Sequence, residues 1–157
     1  MRPGSRLIAS RSISMNVFQH DREHGGIAAV FLDPYHLIRM DMEFHLPTRA
    51  ILGCTVEYVT HPYDVCPSVS ARAASLVGLV VERGVMHEIK RRLGGSEGCI
   101  HLRELATDVV NLAGTALVGY GSGFGLMSAE FNRRPPDERH RISLPVLGGS
   151  CRAYPTG

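Results

Sequence analysis

The sequence predicts an α+β domain: a four-stranded antiparallel meander at the N-terminal end, followed by about three helices packed on one face. Three observations carry this. Residues 6–59 hold four runs of alternating apolar and polar residues, separated by turn-forming stretches with no helical pattern between them. From residue 66 onward the apolar spacing changes to the i, i+3, i+4, i+7 of helix faces. The chain has 157 residues, 44% apolar and 20% charged, which suits one hydrophobic core. The expectation is therefore one domain over 1–157: a β meander (6–59), a helical part (66–118), then a glycine-rich loop and a docked tail (119–157).

The first strand is read over residues 6–18, where Leu7, Ala9, Ile13, Met15 and Val17 alternate with mostly polar neighbours. Residues 20–26, rich in charge and glycine, form a turn. Ile27–Leu32 is the second strand, ended by Asp33-Pro34 because proline cannot donate to a ladder. In the third, Ile38, Met40, Met42 and Phe44 share one face, and parity places His36 at the head of that face, pointing inward. Leu46-Pro47-Thr48-Arg49 turns the chain into a fourth strand over 50–59, with Leu52, Cys54, Val56 and Tyr58 expected on one side.

Asp64-Val65-Cys66-Pro67-Ser68 is a helix start, with proline at its favoured first position and Cys66 at the cap. Gly78 ends that helix, and a second runs from Val85 to Leu93, stopped by Gly94-Gly95. The third helix is the most strongly patterned, through Leu102, Leu105, Val109, Leu112 and Ala116. Ser96 and Gly98 are candidate entry residues, which puts Cys99 in or just before the first turn. There the positive end of the helix dipole favours a thiolate. Two residues apart in a regular helix point about 200° apart, so Cys99 and His101 share a target only if Cys99 lies in the entry turn. Residues 131–140 read as a polar surface segment or linker, and 142–154 as an apolar tail carrying Cys151.

Seventeen basic against fifteen acidic residues give a net charge of +2, with the arginines scattered, which argues against a nucleic-acid partner. Residues 109–129 lack charge but carry Asn111, Thr115, Ser122 and Ser128 among glycines, so a core helix and loop is read rather than a membrane span. Gly119-Tyr120-Gly121-Ser122-Gly123 lacks both the preceding strand and the following Lys-Ser/Thr of a phosphate loop, which excludes a nucleotide fingerprint. No secretory signal opens the chain, so a cytoplasmic protein with free or metal-bound cysteines is expected.

Phe31-Leu32-Asp33-Pro34-Tyr35-His36, Pro62-Tyr63-Asp64-Val65-Cys66 and above all Gly98-Cys99-Ile100-His101-Leu102 resemble a bacterial domain-of-unknown-function family with a late Gly-Cys-Thr-His-Leu signature. The resemblance spans roughly residues 6 to 118, with Ile100 replacing the usual threonine. It implies a soluble bacterial protein and supplies no activity. Carried over by position, it marks Asp33, His36, Cys66, Cys99 and His101, with Cys151 in the tail.

Three functions stay open on these residues. A zinc site would draw on Cys66, Cys99, His101 and His36, with Cys151 as a substitute ligand, although no C-x-x-C pair is present. A metal-free enzyme of small-molecule catabolism, acting on organic acid, acyl or aromatic compounds, would use Cys99 with His101 or His36 as catalytic partners. A binding or assembly module would simply bury its cysteines, as free cysteines commonly are. A small-molecule ligand and a homo-oligomer are compatible with all three.

Overall fold

The computed structural model describes residues 4–116 and 129–155. Its element order is β1 (Ser12–Gln19), β2 (His24–Leu32), β3 (Leu37–His45), β4 (Ala50–Thr60), a 3-10 helix (Cys66–Leu76), α1 (Val85–Leu93), α2 (Ile100–Ala116), α3 (Ala129–Asn132) and α4 (Pro136–Leu147). The four strands form one antiparallel sheet in the order β1-β2-β3-β4, the expected meander. The glycine-rich stretch 119–125 lies outside the described residues.

The first strand starts later than its alternation suggests. Ser12 pairs with Leu32, and β2 ends there because Asp33-Pro34 turns the chain, so residues before Ser12 have no partner to pair with. One face of the sheet is covered. Ile27, Ala29 and Phe31 of β2 and Ile38, Met40, Met42 and Phe44 of β3 are all at most 2% exposed. Against them pack Leu102, Leu105, Ala106 and Val109 of α2, while Ile89 and Leu93 of α1 close the layer. Leu105 is fully buried, and Leu105→Ala should cost about 2–5 kcal/mol, measured as a lowered midpoint in chemical denaturation.

Leu52 does not share the face of Cys54. A register shift between Glu43 and Phe44 pairs Glu43 with Gly53 but Phe44 with Ile51, so the bulge turns Ile51 inward and Leu52 out to solvent. The edge of β4 is held by the following loop. Ile51 donates to the Leu79 carbonyl at 2.8 Å, and Val81 donates to the Arg49 carbonyl at 2.9 Å.

Cys66–Leu76 winds as a 3-10 helix rather than an α-helix. Its serines favour the tighter turn: Ser68, Ser70 and Ser75 each donate a hydroxyl to the carbonyl three residues back. The polar segment 131–140 is also not a simple linker, since α4 begins inside it. Pro136 occupies the first turn beside Asp137 and Glu138, the arrangement that favours a helix N-terminus. Arg134 ties α3 to α4 through Glu130 at 3.3 Å and Glu138 at 2.6 Å. No helix of the described residues is long and apolar enough to cross a membrane.

Candidate functional site

The turn between α1 and α2 delivers Cys99. After Leu93 the chain reverses through Gly95, at φ +79°, where only glycine is unstrained. The Gly98 N–H bonds the Gly95 carbonyl at 3.2 Å, and the Cys99 N–H returns to the Leu93 carbonyl at 3.1 Å. The Cys99 carbonyl then accepts the first helical bond, from Arg103 at 3.0 Å. Cys99 is thus the residue at the helix entry, ahead of Ser96 and Gly98 as sequence candidates. That placement lets its sulfur approach His101 Nδ1 at 3.9 Å, which a position inside the helix would not allow.

At the sheet end, Asp33 closes the β2–β3 turn. Its Oδ1 accepts the backbone N–H of Tyr35 at 2.9 Å and of His36 at 2.8 Å, and it also meets His36 Nδ1 at 2.9 Å. Burial pushes the Asp33 carboxyl up, but these donors and the His36 ring together bring it down to about 2. An ionised carboxylate only accepts, so His36 Nδ1 must carry the proton. Its Nε2 has no protein partner among the described residues.

α2 brings His101 against this pair. The His36 and His101 rings lie 4.1 Å apart, and Phe31 supports His101 at 5.3 Å. His101 Nε2 stands 4.0 Å from Asp33 Oδ2. Burial, then the neighbouring His36, hold the His101 pKa below the ordinary histidine range, with Asp33 pulling the other way. His101 is therefore neutral near pH 7, with Nδ1 free to accept if Nε2 bears the proton toward Asp33. The result is a continuous run: Cys99 Sγ, His101, Asp33, His36.

This run opens on a cavity of about 430 Å³ lined by His36, Cys66, Cys99 and His101, with Pro62, Val65, Val69 and Ile100 as apolar wall. The structure thus brings together five of the residues marked in the sequence, four lining the cavity and Asp33 behind the two histidines. It separates two other thiols from them. Cys54 is buried in β4, where burial and Asp41 push its thiol up to about 12. Cys151 is exposed in the tail and does not line the cavity.

Sequence reasoning from the residues themselves missed three participants. Asp33 was marked only through the family resemblance. Arg11 reaches Asp33 Oδ2 at 3.6 Å and Glu104 at 3.1 Å, a link no local pattern announces. Tyr58 projects from β4 on the inward face, with its hydroxyl next to the Cys99 side chain and within electrostatic reach of Cys66. A phenol on an otherwise apolar strand face was the available signal.

Among the described residues, the set of histidine, cysteine and acidic side chains close enough to share an ion is Asp33, His36 and His101, whose donor atoms lie within 4.8 Å of one another. No curated protein and no solved structure gives a significant match to the chain. A family model does match residues 19–115, the stretch from the end of β1 nearly to the end of α2 that carries Asp33, His36, Cys66, Cys99 and His101. The chain belongs to that family, described as Protein of unknown function (DUF2889).

Proposed function

We propose that the chain is an enzyme of small-molecule catabolism that uses Cys99 as nucleophile on the carbonyl of a small acyl or aromatic acid derivative. The observation that supports this best is the run from Cys99 through His101 and Asp33 to His36, of which Cys99, His101 and His36 line an apolar-walled cavity. In this reading the Cys99 proton passes to His101 Nδ1 as the sulfur–carbon bond forms. The carbonyl π pair moves onto oxygen, near the positive N-terminal end of α2. Collapse of the adduct expels the leaving group, which takes the proton back from His101. Water, deprotonated by His36 Nε2, then adds to the thioester carbonyl; the carbon–sulfur bond breaks, the acid departs, and the proton held by His36 returns to the Cys99 sulfur. A thiol used this way suits a reducing compartment such as the bacterial cytoplasm.

The experiment is competitive alkylation at pH 7 with a small neutral haloacetamide, read residue by residue by peptide mass spectrometry. Cys151, exposed and outside the cavity, serves as the ordinary thiol within the same chain. Cys99 should be modified at least about tenfold faster than Cys151 despite its lesser exposure. A Cys99 slower than Cys151 would overturn the enzymatic reading and favour a binding module with buried cysteines.

A second reading has its own observation, the convergence of Asp33, His36 and His101 donors. Two imidazoles and a carboxylate suit a divalent ion such as zinc, whereas Cys66 and Cys99 of the expected ligand set fall outside that group. Against it, Arg11 already offers its charge to Asp33 Oδ2. Elemental analysis decides between them: about one zinc per chain, lost in His36→Ala, would replace the thiol mechanism.

A further inference from the structure

Tyr58 is 9% exposed on the inward face of β4, opposite Ile38 of β3. Its hydroxyl oxygen is wholly buried with no partner at full hydrogen-bond geometry, and the Cys99 side chain is the group near enough to become one. Buried phenols nearly always find a partner, and a stranded one costs about 1–3 kcal/mol. Phenylalanine would fill the same space without that cost. The groups around the hydroxyl are the sulfurs of Cys99 and, more weakly, Cys66, both of which line the cavity. A neutral thiol is a poor acceptor and a thiolate a strong one.

We infer that Tyr58 is a positioning residue for Cys99, its hydroxyl donating to the Cys99 sulfur as that sulfur gains negative charge. The inference rests on the thiol reading of the site and names the group that holds the nucleophile in place. The hydroxyl is weakly engaged while Cys99 is a neutral thiol and fully engaged when it reacts, so the interaction favours the reacting state over the resting one. Burial and the adjacent sulfurs push the Tyr58 pKa up, which keeps the phenol protonated and therefore a donor. Cys66, at the start of its 3-10 helix, stands on the same cavity wall and shares the environment without sharing the role.

The test compares the wild-type chain with Tyr58→Phe by the same competitive alkylation at one fixed pH, together with a thermal melt. The Cys99 rate, taken relative to Cys151 within each chain, should fall about tenfold in Tyr58→Phe, while the melting temperature stays equal or rises. Loss of packing alone would loosen the cavity and raise the Cys99 rate, the opposite sign. An unchanged ratio in a stabilised variant would mean that the hydroxyl is merely stranded and would overturn the inference. Should Tyr58→Phe melt early, Cys99 labelling in Tyr58→Leu separates the roles: reactivity below wild type in both variants supports the donor, and reactivity above it in either sinks the idea. A wild-type Cys99 no faster than Cys151 removes the thiol reading itself, a result distinct from failure of Tyr58 alone.

Discussion

Gly98→Ala should unfold the turn that carries Cys99, lowering stability by more than about 3 kcal/mol and the melting temperature by roughly 6–12 °C. The reason is steric. A Cβ at Gly98 would collide with the Leu93 carbonyl oxygen and lie 2.6 Å from the Gly94 carbonyl oxygen. Neither atom can yield cheaply. The Leu93 carbonyl is held by the Cys99 N–H at 3.1 Å, and both carbonyls belong to the turn that ends α1. Gly95→Ala is the contrast. It meets nothing within 4 Å but must adopt φ +79°, so it should cost only about 1 kcal/mol. A circular-dichroism melt of the two variants beside wild type checks the ordering; equal losses would show that the turn is held by backbone conformation rather than by contact.

Asp33→Asn should cut the alkylation rate of Cys99 on the order of 100-fold, a proton-placement effect. In the native chain the carboxylate accepts from His36 Nδ1 at 2.9 Å and faces His101 Nε2 at 4.0 Å. An asparagine keeps its oxygen on the Tyr35 and His36 donors and turns an NH₂ toward His101 Nε2. That favours the tautomer with the proton on Nδ1, where it can no longer accept from Cys99. The same substitution has a stability signature. The Asp33 pKa is lowered from 3.8 to about 2 in the folded chain, so the unfolded chain takes up the proton first as pH falls. Its contribution is complete above about pH 4 and lost between about 4 and 2. His101 adds a loss at higher pH: with its folded pKa below 6.5, the unfolded chain binds a proton the folded one resists as pH drops through that range. Denaturant titrations from pH 7 to 2 should show both slopes in wild type and a shallower lower one in Asp33→Asn, where Asp21 and Glu88, also held down to about 2, still contribute. A lower slope left unchanged by the substitution would assign all of it to those other carboxylates.

Local signals explain how far the site could be read in advance. Parity along β3 is enough to turn His36 inward, and it is indeed 7% exposed. Glycines flanking a thiol at a helix start are enough to single out Cys99. Neither signal says that the two meet, because the β2–β3 turn and the start of α2 are distant in sequence and are joined only by packing α2 on the sheet. Arg11 belongs to the same class: it reaches Asp33 and Glu104 from just before β1, where its own neighbours carry no hint of either partner.

The order and direction of the strands, the extents of α1 and α2, and the inward face of β3 were determined by the sequence itself, since hydrophobic period and turn chemistry are local properties. The bulge that exposes Leu52, the 3-10 winding of Cys66–Leu76 and the start of α4 within 131–140 needed the structure. So did the meeting of Asp33, His36 and His101 and the stranding of the Tyr58 hydroxyl beside the cavity thiols. Periodicity tells each element which face to bury. What that face then touches depends on how the buried layers fit together, and only the folded chain decides it.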